Sequence, residues 1–293
     1  LGRLEDLAVQ LALIYGDPPP ALERRAIVVM VGDHGVATRG VSAYPRAVTA
    51  QMCANFAAGG AAVSVMAPAV GANVHVVDVG VDGDVSGLSG LHHRKVRRGT
   101  RDFSRERALT LPEVRAAILA GSDVVSALRP VPDVVAIGEM GIGNSTSASA
   151  LTAALTGADP AKVVGRGTGV SNETLVLKVE LIRRGIARIP RGAGALRILG
   201  EVGGLEIAGL VGVILGAARL RRAVIIDGFI ATAAALTSVR LCSAAAGYLV
   251  ASHLSPEPGH RVLLAALELQ PCIDLNMRLG EGTGALLAFP IVD

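Results

Sequence analysis

Apolar residues fall along this chain in two patterns. Unbroken blocks at Ala26–Val31 (AIVVMV), Val134–Ile137 (VVAI) and Ala223–Ile226 (AVII) show no alternation and no charge, as strands buried on both faces do. Ala62–Met66, Val74–Val79 and Tyr248–Ala251 read as three further strands. Between these blocks the spacing turns helical. Leu4, Leu7, Ala8, Leu11 and Ile14 share one face of a helix that Gly16-Asp17-Pro18-Pro19-Pro20 ends. Ser42–Pro45 opens a helix with Thr49, Gln51 and Asn55 among alanines, and Thr110-Leu111-Pro112-Glu113 is a capping box opening another. A helix capped near Ser171 or Asn172, an almost wholly apolar one over 204–218 and one over roughly 257–268 complete the pattern. Strands alternating with helices predict an α/β fold, a mostly parallel sheet with helices on both faces in the Rossmann manner. With 51% hydrophobic residues and no Trp, its core must be built from Ala, Val, Leu and Ile.

The polar residues cluster where strands end. In VVAIGEMGIGNSTSASALTAAL (134–155) a strand runs into Gly138, Gly141 and Gly143, and Asn144, Ser145 and Thr146 then offer helix caps. Such a turn lets backbone amides face an anion, and Glu139 inside it suggests a ligand with more than a phosphate, such as a sugar or a ring. An ordinary strand-to-helix turn is the alternative. Gly32-Asp33-His34-Gly35, at the end of the first block, is either a ligand contact or a loop brace. Gly165, Gly167 and Gly169 form a second glycine turn, followed by Lys178, one of three lysines and a candidate for a phosphate or carboxylate contact. Asp227-Gly228 follows another strand, and Glu281 stands between Gly280 and Gly282, open to a ligand. Gln51 faces either solvent or a substrate ring nitrogen. Asp78, Asp82 and Asp84 read as a surface turn, and His92–Arg98 (HHRKVRR) as a solvated loop, with a phosphate-attracting lid as the alternative.

Charge and composition exclude several classes. A net charge of +3 with 2% aromatic residues supplies neither the basic stripe nor the stacking surface of a nucleic-acid reader. Cys53, Cys242 and Cys272 are scattered as reduced thiols are, which points to the cytoplasm. No signal peptide is expected at the start, and a chain beginning at Leu1 leaves room for an upstream segment. The longest uncharged run, Ala47–Val74, is interrupted by Asn55, Gly59-Gly60, Pro68 and Gly71 and predicts a helix plus a strand, not a membrane span. There is no GxxxxGK[ST] loop, no GxSxG elbow and no metal-ligand spacing. Three glycine turns, each with one carboxylate (Glu139, Asp227, Glu281), together with Lys178 imply an anionic sugar ligand. VIIDGFIATA (224–233) faintly resembles the diphosphate-sugar loop of common phosphoribosyltransferases, but Gly228 stands where a second acid is usual, which disfavours a magnesium-diphosphate donor.

GDHGVATRGVSAYP (32–45), TAQM (49–52), GEMGIGNSTSASAL (138–151), GRGTGV (165–170), IDGFIATAAAL (226–236) and RLGEGTGAL (278–286) together resemble the nicotinate-nucleotide–dimethylbenzimidazole phosphoribosyltransferases, nearly end to end. The resemblance implies transfer of phosphoribose from nicotinate mononucleotide to 5,6-dimethylbenzimidazole, in cobalamin nucleotide-loop assembly, with no cofactor and no metal. It makes Glu281 the general base. It puts phosphoribose and nicotinate contacts on Glu139, Met140, Gly141, Gly167, Lys178 and Asp227, and the benzimidazole near Ser42, Gln51 and Leu279. It also implies a homodimer and a small helical subdomain, built from the helix within 1–25 and packed against C-terminal helices of a catalytic domain over 26–293. Two departures stand out: the lead-in to LGRLE is missing, and Arg46-Ala47 replaces a more polar or acidic pair.

Overall fold

The computed structural model describes residues 2–293. Among the described residues, six strands form one sheet: β1 (Arg25–Gly32), β2 (Ala72–Gly80), β3 (Leu91–His93), β4 (Val134–Met140), β5 (Ala223–Ile226) and β6 (Leu249–Ala251). Every neighbouring pair is parallel, in the order β3-β2-β1-β4-β5-β6. Parallel pairs require crossovers, which helices supply except between β2 and β3, where residues 81–90 connect by turns alone. The helices are α1 (Arg3–Tyr15), α2 (Ala47–Ala57), α3 (Ala62–Met66), α4 (Leu111–Ala127), α5 (Asn144–Thr156), α6 (Pro160–Val163), α7 (Asn172–Ile186), α8 (Ala195–Val202), α9 (Leu205–Arg219), α10 (Phe229–Leu241), α11 (Pro258–Leu267) and α12 (Thr283–Val292).

The strands alternate side chains between two cores, which is why their sequence shows no polar face. Val28, Met30, Val77, Val135, Ile137, Val224 and Ile226 pack with α4, α9 and α10. Ile27, Val29, Val31, Val76, Val134, Ala136 and Ile225 point the other way, into a core shared with Leu7, Leu11 and Ile14 of α1 and Leu286 and Phe289 of α12. Against the first face α4 and α9 lie so close that a Cβ at Gly121 would run into the Gly209 carbonyl. The strand order reverses between β1 and β4, and ligands in such sheets bind in the crevice outside the strand ends at that reversal.

Three sequence expectations change. Ala62–Met66 is the short helix α3, not a strand. It lies within the β1-to-β2 crossover, away from the sheet, and one helical turn buries Val63 while leaving Val65 exposed. The uncharged run after Ala47 is accordingly α2, α3 and a 3-10 turn, broken at Gly59-Gly60, with β2 beginning at Ala72. The basic run is not all loop, because Leu91–His93 adds an edge strand to β2. Asp78 is no surface residue either. It is fully buried, accepts from the Val81 amide and pairs with Lys95 at 3.1 Å. The Thr110 capping box forms as expected, with the side chains of Thr110 and Glu113 each accepting the other's amide.

Candidate active site

A cavity of about 670 Å³ opens at the carboxyl ends of the strands, where the order reverses. Its floor begins with the β4 turn, Glu139 to Ser145. β4 delivers Glu139 at its penultimate position, buried, with the Asn144 amide group donating to its carboxylate. Burial, reinforced by the Asp227 and Glu206 carboxylates, holds the Glu139 carboxyl well above the ordinary carboxylate range.

Glu281 enters from a second direction. It adopts φ +61° between Gly280 and Gly282, both also left-handed. A glutamate held there is strained backbone maintained by its surroundings. One restraint is the Glu281 amide, which donates to the Glu139 carbonyl at 3.1 Å. Another is Gly138, whose missing side chain lets the Glu281–Gly282 backbone lie directly against β4. Glu281 is 5% exposed and lines the cavity, and its carboxylate accepts from the Val63 amide at 3.4 Å. Burial raises its carboxyl, and the Val63 and Ala62 amides only partly oppose that.

Of the residues singled out in the sequence, Ser42, Glu139, Met140, Gly141, Gly167, Leu279 and Glu281 line this cavity. Three do not. Asp227 lies behind the wall and accepts from the amides of Gly282, Gly284 and Ala285, so it caps α12 and anchors the Glu281 loop. Lys178 is fully buried behind the second glycine turn, donating to the Gly165 carbonyl at 2.8 Å and Ser145 Oγ at 3.3 Å. Burial lowers its ammonium to about 8, against the pull of Glu257. Gln51 is exposed, because α2 turns Val48 and Met52 toward the cavity and leaves Gln51 facing away. Asp33 and His34 are braces. His34 is fully buried between Ser147 Oγ (2.9 Å) and Glu206 Oε1 (2.6 Å), beneath the β4 turn.

Sequence reasoning passed over His253, Ser255 and Glu257, all of which line the cavity. They lie in the polar segment SHLSPEPGH that follows β6, the same strand-end position that flagged the other turns. Glu257 Oε1 accepts from the Gly167 amide at 2.8 Å and so fixes the second glycine turn. Across from it, Tyr44, Val48, Met52 and Leu279 make an apolar wall suited to a flat ring.

A doubly wound sheet with amide-lined turns, buried acids and an apolar wall at its reversal point is the site of a sugar-phosphate transferase. The family described as phosphoribosyltransferase matches residues 1–293, and the chain belongs to it. Similar chains within it carry one name, nicotinate-nucleotide–dimethylbenzimidazole phosphoribosyltransferase. That of Chloroflexus aurantiacus is 50% identical over 293 residues, 99% of this chain and 84% of its own. That of Thermus thermophilus is 46% identical over 293 residues, 100% of this chain and 88% of its own. The crystal structure of CobT from Thermus thermophilus, 46% identical, superposes with a TM-score of 0.97, covering 99% of this chain and 88% of that one.

Proposed function

We propose that this chain transfers phosphoribose from nicotinate mononucleotide to 5,6-dimethylbenzimidazole, giving α-ribazole 5′-phosphate and nicotinate, with Glu281 as general base and without a metal. The observation that carries this reading is Glu281, a buried acid held on a strained backbone in the wall of the cavity. In the donor the pyridine nitrogen is already cationic. It leaves with the electron pair of the C1′–N bond as a neutral ring, so no general acid is needed. The acceptor attacks C1′ through one ring nitrogen and loses the proton on the other to Glu281. Attack opposite the departing ring converts a β- to an α-glycoside. The ribosyl centre gains positive charge on the way, and the adjacent acids favour it. The ends of the β4 turn and α5 supply amides for an anion, while the wall of Tyr44, Val48 and Met52 accommodates the apolar acceptor.

Glu281→Gln is expected to lose about 10²-fold or more in turnover while binding nicotinate mononucleotide nearly normally. Nicotinate release, followed with and without acceptor and in the presence of a chelator, is the assay. Near-normal turnover in the variant removes Glu281 from its role, and dependence of the wild type on an added divalent ion removes the metal-free scheme. The same reading carries a homodimer, tested by solution mass against 29.8 kDa per chain, and a cytoplasmic location.

A further inference from the structure

The β4 turn and the apolar wall of the cavity belong to different elements, and one side chain joins them. Thr49, in the first turn of α2, is fully buried, and its Oγ1 accepts from the Ile142 amide at 3.2 Å. Among the described residues this is the one hydrogen bond between α2 and the β4 turn. Val48 and Met52, beside Thr49 in sequence and one helical turn beyond it, line the cavity, as do Gly141, Ile142 and Gly143 of the turn.

Thr49 is itself held. A hydroxyl that accepts a hydrogen bond still has its proton to give, and beside Thr49 lies the buried carboxylate of Asp33, just past β1. Burial raises the Asp33 carboxyl, and the Asp82 amide (2.8 Å from Oδ2) and the Thr49 hydroxyl only partly oppose that. The backbone of Asp33 is fixed on both sides, its amide donating to the Gly80 carbonyl and its carbonyl accepting from the Thr100 amide, each at 2.9 Å. Of the three buried side chains of α2, only Thr49 lies in the half that carries Val48 and Met52; Cys53 and Phe56 sink the other half into the apolar core. The remaining tie at the start of α2, Arg46 to Asp82 at 2.8 Å, is a part-exposed pair that water weakens. The β4 turn, by contrast, has no slack. A Cβ at Gly141 would overlap the Gly32 carbonyl, and one at Gly143 would stand 3.1 Å from Ala37 Cβ.

We propose that Thr49 is a positioning residue for the transfer: its hydroxyl, braced by Asp33, docks α2 on the β4 turn and so sets the gap between the apolar wall and that turn. This rests on the proposed function, in which the wall takes the acceptor ring and the turn serves the phosphoribosyl donor. Attack on C1′ needs the ring nitrogen about 3–3.5 Å away, so a wall displaced by about 1 Å costs on the order of 10²-fold. Without the hydroxyl, the Ile142 amide loses its acceptor and Asp33 a donor. The element that then moves is α2, the looser of the two, and the damage falls on the acceptor.

The test is Thr49→Val, which keeps the outline of the side chain and deletes the hydroxyl, beside Thr49→Ser, which keeps the hydroxyl. In steady-state nicotinate release, Thr49→Val should lower kcat/KM for 5,6-dimethylbenzimidazole about 10-fold or more, with the KM for nicotinate mononucleotide within about twofold of wild type. Thr49→Ser should recover most of the loss. A merely structural role would lower the melting temperature and leave the constants of the folded protein as they were. An acceptor kcat/KM within about twofold of wild type, a donor KM raised beyond that margin, or a serine variant no better than the valine one overturns the proposal. If Thr49→Val does not fold, Thr49→Ser and Thr49→Cys, alike in size but unequal in hydrogen-bonding strength, carry the same comparison, and the cysteine variant must show the acceptor-specific loss. Should wild-type protein release no nicotinate at all, the proposed function falls. Calorimetric titration of wild type and the folded variant with 5,6-dimethylbenzimidazole and with nicotinate then decides the docking role alone. Weaker binding of the benzimidazole alone sustains it. Unchanged affinity for the benzimidazole, a matching loss on nicotinate, or no binding of the benzimidazole to wild type overturns it.

Discussion

Gly138→Ala tests how the fold holds the candidate base. A Cβ at this position would sit 2.5 Å from the Glu281 carbonyl oxygen and closer still to the peptide joining Glu281 to Gly282. Ordinary van der Waals contact needs roughly 3.4 Å or more, so one backbone must retreat by about 1 Å. β4 cannot retreat, since it is paired on both sides, with β1 and β5. The Glu281 loop therefore moves, stretching the Glu281 amide bond to the Glu139 carbonyl. A displacement of about 1 Å at a catalytic group costs on the order of 10²-fold in turnover. Overpacking of this size destabilises by about 1–3 kcal/mol, leaving a folded protein. Nicotinate release at saturating donor and acceptor, with a thermal melt in parallel, reads both effects. A Gly138→Ala protein with wild-type kcat would show that contact with β4 does not set the position of Glu281.

Three other outcomes follow from single contacts. His34→Ala leaves the fully buried Glu206 carboxylate without its partner and should cost about 3–5 kcal/mol by denaturant titration; a loss below about 1 kcal/mol would mean that water or rearrangement replaces the imidazole. Thr110→Ala removes the N-cap acceptor of α4 and should cost about 1 kcal/mol, against no change if α4 is held by its packing on α9 alone. Lys178 titrates near 8 in the folded chain and near 10.5 when unfolded, so between those values the unfolded state binds the extra proton. Wild type should therefore gain stability relative to Lys178→Met as pH rises from 8 to 10.5, and parallel pH profiles would contradict the buried placement.

Much of this protein is legible in its residue order because local chemistry writes local patterns. Unbroken apolar blocks specified β1, β4 and β5, since strands covered on both faces tolerate no polar residue. Thr110 and Glu113 announced a helix start through the hydrogen bonds they alone can exchange. Glycines around Glu281 marked an acid left open to a ligand, while the left-handed backbone at that acid came from the fold. Other decisions needed the assembled sheet. The valines of 62–66 suit a strand, yet their place in a crossover makes them a helix. Gln51 and Met52 are adjacent in sequence, and only the rotation of α2 against the sheet sends one to solvent and the other to the cavity. Lys178 proved to stand behind the glycine turn it follows. His253, Ser255 and Glu257 sit far along the chain from the β4 turn, and they meet it because burying both faces of the sheet places β5 and β6 in order beside β4. Periodicity and capping act over a few residues, whereas a shared cavity is set by strand order, which no local pattern records.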